Sequence, residues 1–363
     1  MIPKHMQAYV LMRHGDLDAL EWREDWPVPT PGPGQVLIKV AACGLNNTDI
    51  NTRSGWYSKA VTSATTGGAY EEVSDDDPTW GGAPISFPRI QGADVCGHVV
   101  AVGAEVDATL IGERVLTDNW LRDWSDPLNK DKTGYFGSES DGGYAQYCVT
   151  DANNVGVIKS DLSDAELATF SCSYTTAEGM LSRAKVVAGD IVLVTGASGG
   201  VGSANIQLAK RRGAKVVTLA SEAKHELLKD LGADVTLPRD GTGLHKALDA
   251  HFGTDKVDVI ADVVGGEAFG SLIDMLRRGG RYTVSGAIAG PIVNLDLRTL
   301  YLNDLTFTGS TVVDPQVFKD LISYIEAGDL KPLVAATYPL KELYAAQTAF
   351  TKKAHVGNIV VVP

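Results

Sequence analysis

The run Gly196-Ala-Ser-Gly-Gly-Val-Gly202 is the stretch of this sequence whose residue types and spacing most directly suggest chemistry. It follows the apolar run 190–195 and precedes a helix-like run over 203–212. Glycines let a backbone turn tightly and approach a pyrophosphate, and the free N–H groups and dipole of the following helix attract the same negative charge. Gly196, Ser198, Gly199, Gly200, Val201 and Gly202 are therefore candidate dinucleotide contacts, although the glycines depart from strict G-x-G-x-x-G spacing. The residues that follow support them. Residues 215–220 predict a second strand, 222–231 a helix and 233–237 a third strand, which together make a right-handed βαβαβ half of a dinucleotide-binding sheet.

The end of the second strand decides which dinucleotide fits. In NAD-binding domains an acid there accepts the ribose hydroxyls. Here that end reads Thr218-Leu-Ala-Ser221, with no acid before Glu222. Ser221, Lys224 one helical turn on, and Arg239 after the third strand leave room and charge for a 2′-phosphate. NADPH is the expected coenzyme, with Glu222 the one residue that argues for the ribose of NAD.

The elements that must position this loop come from a chain of 363 residues, long enough for two domains, with a hydrophobic fraction of 44%. A net charge of −13 argues against nucleic acid or an anionic membrane as partner. The four cysteines, Cys43, Cys96, Cys148 and Cys172, form neither a Cys-x-x-Cys pair nor a secretory framework. The first sixteen residues lack an apolar signal core, and no uncharged run is long enough to span a bilayer. A cytoplasmic protein acting on small molecules is expected. Residues 7–12, 35–43, 98–102, 114–117 and 145–149 read as short strands, with a loop marked by Pro27, Pro29, Pro31, Pro33, Gly32 and Gly34. Such strands suggest a partly closed β-barrel.

The motifs Pro31-Gly-Pro-Gly-Gln-Val-Leu-Ile-Lys-Val40, Gly44-Leu-Asn-Asn-Thr-Asp49, Gly112-Glu-Arg-Val115 and Gly142-Gly-Tyr-Ala145 resemble the medium-chain dehydrogenase/reductase superfamily. So do Asp262-Val-Val-Gly265, Val284-Ser-Gly286 and the closing Gly357-Asn-Ile-Val-Val361. Within it the chain most resembles the zinc-free quinone oxidoreductase and enoyl reductase branch. The resemblance implies an α/β protein: a GroES-like β-barrel catalytic domain, residues 1–171 and 311–363, plus a Rossmann doubly wound parallel sheet, residues 172–310. It also implies coenzyme contacts at Val264 and Gly286, and a homodimer joined through the last Rossmann strand, 305–310. The basic turn with Lys352, Lys353 and His355 resembles one that faces the adenine-phosphate end in relatives.

Zinc-dependent members of the superfamily use a Cys, a His and a second Cys. The corresponding places are Asn46, the run Gly92-Ala93-Asp94, and Cys172, so one of three ligands remains and no metal is expected. Without a metal to polarise an isolated ketone, conjugated acceptors such as quinones, enones and enoyl thioesters are the easier hydride acceptors. Asn46 can donate a hydrogen bond to a carbonyl or a ribose. By resemblance, Thr48 falls where zinc enzymes place a proton-relay hydroxyl, and Tyr57, in Arg53-Ser-Gly-Trp-Tyr57, falls on the proton-donor tyrosine of the enoyl reductases. Two insertions relative to those enzymes, 58–87 with Glu71, Glu72, Asp75, Asp76 and Asp77, and 117–141 with its aromatics, are expected near the cleft. Trp56, Trp120 and Trp124 are candidate walls of the substrate pocket. The expected function is NADPH-dependent, zinc-independent reduction of a conjugated carbonyl. An NADPH-binding protein with little turnover and a zinc alcohol dehydrogenase are the alternatives.

Overall fold

The computed structural model of the protein describes residues 1–74, 76–78 and 82–363. Its N-terminal part is built from β1 (His5–Leu11), β2 (Leu20–Pro27), β3 (Gln35–Gly44), β4 (Asp94–Val102), β5 (Arg114–Thr117), β6 (Trp120–Arg122), β7 (Thr133–Tyr135), β8 (Tyr147–Asp151) and β9 (Val155–Val157). A short helix, α1 (Asn47–Ser54), leaves the end of β3, and α2 (Asp164–Leu167) follows β9. In β3, Val36, Ile38 and Val40 alternate towards one core, where they meet Val10, Val99 and Ile359. That period of two is what a half-buried strand requires.

The second part opens with α3 (Ser171–Arg183) and runs through β10 (Ile191–Val194), α4 (Gly200–Arg211), β11 (Lys215–Leu219), α5 (His225–Asp230), β12 (Val235–Leu237), α6 (Leu244–Phe252), β13 (Val257–Asp262), α7 (Phe269–Asp274), β14 (Leu276–Val284), α8 (Leu297–Leu302) and β15 (Thr306–Gly309). The six strands lie in the order β12-β11-β10-β13-β14-β15, all parallel. This is the doubly wound order whose reversal, between β10 and β13, opens a crevice at the strand ends. Successive residues of β10 serve opposite cores. Val192 and Val194 pack with Met180 and Ile206, while Ile191 and Leu193 pack with Leu248 and Phe269. The chain closes with α9 (Pro315–Glu326), β16 (Val334–Pro339), α10 (Leu343–Thr351) and β17 (Asn358–Val362). β17 returns to the first sheet, setting Val360 opposite Gly44 and Val361 opposite Cys43.

Some expected boundaries shift for identifiable reasons. β4 begins at Asp94, not at residue 98, because Asp94, Val95 and Cys96 pair with Gly44, Cys43 and Ala42. The strand expected at 145–149 lies at Tyr147–Asp151, the residues that pair with 35–39, whereas Ala145 makes only an isolated bridge to Ala8. The helix expected over 222–231 is a 3-10 turn, Glu222–Lys224, leading into α5. The helix after the glycine loop starts at Gly200, so part of the loop is already its first turn.

Both insertions are tied to the body of the molecule. In the first, the Thr65 N–H donates to the Ile288 carbonyl (3.1 Å) across the cleft. Arg53, fully buried, donates to the carbonyls of Gly15 and Gly67 (2.7 Å each). Glu71, Glu72 and Asp76 are exposed, and Asp75 lies outside the described residues. In the second, β6 and β7 form an antiparallel ribbon that sets Trp120 opposite Tyr135. No helix among the described residues is long and apolar enough to cross a membrane.

Candidate active site

A cleft of about 1000 Å³ runs from the glycine loop to the first turn of α1. Gly196 has φ +56°, a left-handed conformation that suits glycine. A Cβ on Gly202 would lie 2.2 Å from the Gly196 carbonyl oxygen, and one on Gly200 would lie 2.3 Å from the Ser173 hydroxyl. The glycines thus let the loop fold against itself and against α3. Gly199 caps α4 without a side-chain hydrogen bond, leaving the first-turn N–H groups directed at the cleft. Gly196, Ser198, Gly199, Gly200, Val201 and Gly202 line it, as do Val264, Gly286 and Arg239.

Ser221 and Lys224 are not on the lining. Lys224 is only 8% exposed and reaches the back of the loop: its ammonium donates to Ser198 Oγ (3.1 Å), to the Lys353 carbonyl (3.1 Å) and to the His355 carbonyl (2.9 Å). Burial, with a smaller contribution from Arg239, lowers its pKa. Lys353, on the cleft wall, donates to Asn47 Oδ1 (2.7 Å), and burial pulls its pKa down to about 7. His355 beside it is held down to about 4 by burial and by the charges of Lys353 and Lys224. Glu222 is exposed and off the lining. Cationic groups held by neutral partners, beside a helix N-terminus, fit a ligand carrying several phosphate charges.

At the other end of the cleft the first turn of α1 is fixed by two buried carboxylates. Asp49 accepts from the Asn46 N–H (2.8 Å) and from the Tyr144 hydroxyl (2.8 Å), and burial pushes its carboxyl up to about 7. Asp94, fully buried, accepts from Asn46 Nδ2 (2.9 Å), Asn119 Nδ2 (3.0 Å) and the Cys172 N–H (2.7 Å). Burial raises it to about 6. Asn119 Nδ2 also donates to the Tyr135 hydroxyl (3.3 Å), which in turn donates to Cys172 Sγ (3.1 Å). The Thr48 hydroxyl stands beside both Tyr135 and Cys172. Burial raises the phenols of Tyr57 and Tyr135 well above the usual range, so both remain protonated donors.

The structure brings Asn46, Thr48 and Tyr57 to one end of the cleft, with Trp56 and Trp120 as walls. Trp56 donates to the Ser63 carbonyl (3.0 Å) and meets Tyr57 edge-on, ring centroids 5.7 Å apart. Trp120 packs edge-on against Tyr135 at 5.1 Å. Trp124 is not on the lining; its indole N–H is taken by Asn154 Oδ1 (3.0 Å), which corrects its place as a pocket wall. Asp94, Asn119 and Tyr135 are the residues that sequence reasoning missed. Asp94 was visible only as part of the run matching a metal motif, and Tyr135 only as one aromatic of an insertion.

The donors at the place of a catalytic zinc do not suit the ion. Ala93 offers none, Asn46 offers only a neutral amide whose nitrogen donates to Asp94, and burial keeps the Cys172 thiol protonated. Cys96 instead donates to Asp164 Oδ1 (3.5 Å). Among the described residues no group of three or more His, Cys, Asp or Glu could hold a metal ion.

Two family models match the chain: the alcohol dehydrogenase GroES-like domain over residues 32–160 and the zinc-binding dehydrogenase over residues 200–327. The chain is 30% identical to the quinone oxidoreductase of Mus musculus, over 93% of this chain and 92% of the relative. It is 28% identical to the chloroplastic NADPH-dependent alkenal/one oxidoreductase of Arabidopsis thaliana, over 100% of this chain and 81% of the relative. A solved chain from Sinorhizobium meliloti 1021, provisionally named an alcohol dehydrogenase, superposes with a TM-score of 0.89 at 47% identity, over 100% of this chain and 98% of that one.

Proposed function

The chain belongs to the medium-chain dehydrogenase/reductase superfamily, and from that premise we propose that it is a zinc-independent, NADPH-dependent oxidoreductase that reduces conjugated carbonyl compounds: quinones, enones or enoyl thioesters. The observation that carries this is the hydrogen-bonded set Asn46–Asp94–Asn119–Tyr135, which occupies the place of a metal and offers amide and phenol donors instead of Lewis acidity. Such donors stabilise charge spread over a conjugated oxygen better than they activate an isolated ketone.

When bound, the reduced nicotinamide supplies hydride; the residues of this chain do the rest. Glycines 196–202 and the first turn of α4 receive the pyrophosphate, with Lys353 on the same cleft lining. Arg239, on the lining, meets the 2′-phosphate, Lys224 adds its charge from behind Ser198 Oγ, and the exposed Glu222 stands off the lining. Thr48 and Asn46 orient the reacting end. The Tyr57 phenol, kept protonated by burial, delivers the proton that follows hydride addition. Trp56, Trp120, Val61 and Ile288 supply apolar walls for a flat substrate.

The unpaired edge of β15 lies beside an exposed apolar surface, with Ile292 69%, Leu297 64% and Tyr301 62% exposed. Joining two copies there as a homodimer would cover both. The four free thiols suit a cytoplasmic protein. The name carried by the Sinorhizobium chain favours a second reading, oxidoreduction of a simple alcohol or ketone. Oxidation of NADPH by a panel of enones, quinones, ketones and aldehydes decides between them: the conjugated acceptors are expected to turn over at least a hundred times faster. Equal rates would favour the second reading.

A further inference from the structure

We propose that the hydroxyl of Tyr135 receives the carbonyl oxygen of the substrate and polarises it during hydride addition. The inference rests on the reading of this cleft as a reductase of conjugated carbonyls and names the group that takes over the oxygen-binding role of a metal.

Tyr135 comes from the insertion 117–141, and that insertion is built to hold it rigidly. The β6–β7 ribbon sets it opposite Trp120, whose ring packs edge-on against it at 5.1 Å. Its N–H donates to Glu139 Oε2 (2.7 Å), and Arg122 on the same ribbon donates to the Val313 carbonyl (2.9 Å) beyond β15. Tyr135 is only 4% exposed, yet it lines the cleft with Asn46, Thr48 and Cys172.

The hydrogen-bond directions set the role. Asp94 orients the Asn119 amide, which donates to the phenolic oxygen, so the phenol's own hydrogen is turned the other way. That hydrogen points to Cys172 Sγ at 3.1 Å, and a thiol sulfur is a weak acceptor. A carbonyl oxygen gaining negative charge is a far stronger one and displaces sulfur from the bond without any movement of the ring. Donors fixed before the reaction contribute most to catalysis because nothing has to reorganise as charge develops. Burial, with Cys172 and the Asp94 carboxylate beside the ring, makes a phenolate costly, so Tyr135 holds its proton and donates a hydrogen bond, while the proton itself arrives from elsewhere. The balance is simple: hydride forms a C–H bond at the β-carbon, the C=C π pair moves to place charge on oxygen, and Tyr135 holds that oxygen until the α-carbon is protonated.

The test uses para-dimethylaminocinnamaldehyde, a conjugated aldehyde whose absorption moves to the red when its oxygen accepts a strong hydrogen bond. It is bound beside NADP⁺, which has no hydride to give. The wild-type protein and Tyr57→Phe are expected to show the red shift, and Tyr135→Phe is expected to lose most of it while keeping its affinity for NADP⁺, which also shows that it is folded. Asn119→Ala is expected to give an intermediate shift, with kcat lowered and KM nearly unchanged; a full shift there removes Asn119 and Asp94 as positioning residues. With an enone and NADPH, Tyr135→Phe should lose about a hundredfold in kcat. An undiminished shift and undiminished kcat in Tyr135→Phe, or no shift in the wild type, overturns the proposal even if enones are reduced. A Tyr135-dependent shift with no turnover of any enone or quinone sustains Tyr135 and instead overturns the reductase reading.

Discussion

Nucleotide binding should take up a proton at Lys353. Burial holds this ammonium at a pKa of about 7, against an ordinary lysine value of about 10.4. At pH 8 only about one molecule in ten carries the charge in the free protein. A phosphate placed against Lys353 favours the charged form and restores a pKa near the ordinary value. Binding at pH 8 should therefore take up about 0.9 proton per site, falling to about 0.5 at pH 7. A 2′-phosphate, with a second pKa of about 6, is already dianionic at pH 8 and releases nothing. His355, held at about 4, is neutral there in the free protein. The sign follows from linkage: the bound state holds the extra proton, so affinity falls as pH rises, by about threefold per unit near pH 7 and approaching tenfold per unit, about 1.4 kcal/mol, near pH 9. Calorimetric titration of NADP⁺ in buffers of different ionisation enthalpy reads the proton count as a slope. Lys353→Met should bring that slope close to zero. A slope near zero in the wild type at pH 8, or an unchanged slope in Lys353→Met, would refute the assignment of Lys353 to the phosphates.

Three further outcomes are expected. Replacing Lys224 by Ala removes the ammonium beside Ser198, and the ratio of NADPH to NADH affinity should fall by about tenfold to a hundredfold, the range for a charged hydrogen bond; an unchanged ratio in paired titrations would remove Lys224 from the 2′-phosphate site. Gly202→Ala puts a methyl 2.2 Å from a main-chain oxygen, so thermal unfolding should register a loss of about 1–3 kcal/mol together with lost nucleotide binding; a stable, binding variant would contradict the packing of the loop. Tyr57→Phe should slow enone reduction by about a hundredfold or more with little change in NADPH affinity, and full activity would end the role of Tyr57 as acid.

The parts of the fold that local pattern governs were legible in the sequence. The glycine loop and the apolar strands on either side of it point to the doubly wound sheet and its nucleotide crevice, since each depends on residues close together in the chain. The chemical end of the cleft was less legible because its contacts are remote. Asn119 reaches Asp94, and Tyr135 reaches Cys172, only after the second insertion has folded into a ribbon that no short-range periodicity reveals. Trp124 resembles Trp120 in composition and differs in fate: one indole packs edge-on against Tyr135 in the cleft, the other finds Asn154 outside it. Lys224 read as an accessible cation for the 2′-phosphate, yet it is only 8% exposed. It is buried because its ammonium reaches the carbonyls of a turn contributed by the far end of the chain.

The most direct single measurement is NADPH oxidation by a simple enone, with NADH in parallel, on protein freed of metal by a strong chelator. The result expected is turnover that survives chelation, is not raised by added zinc and is much faster with NADPH. Activity that vanishes on chelation and returns with zinc, or a preference for NADH, would contradict a metal-free, NADPH-dependent site.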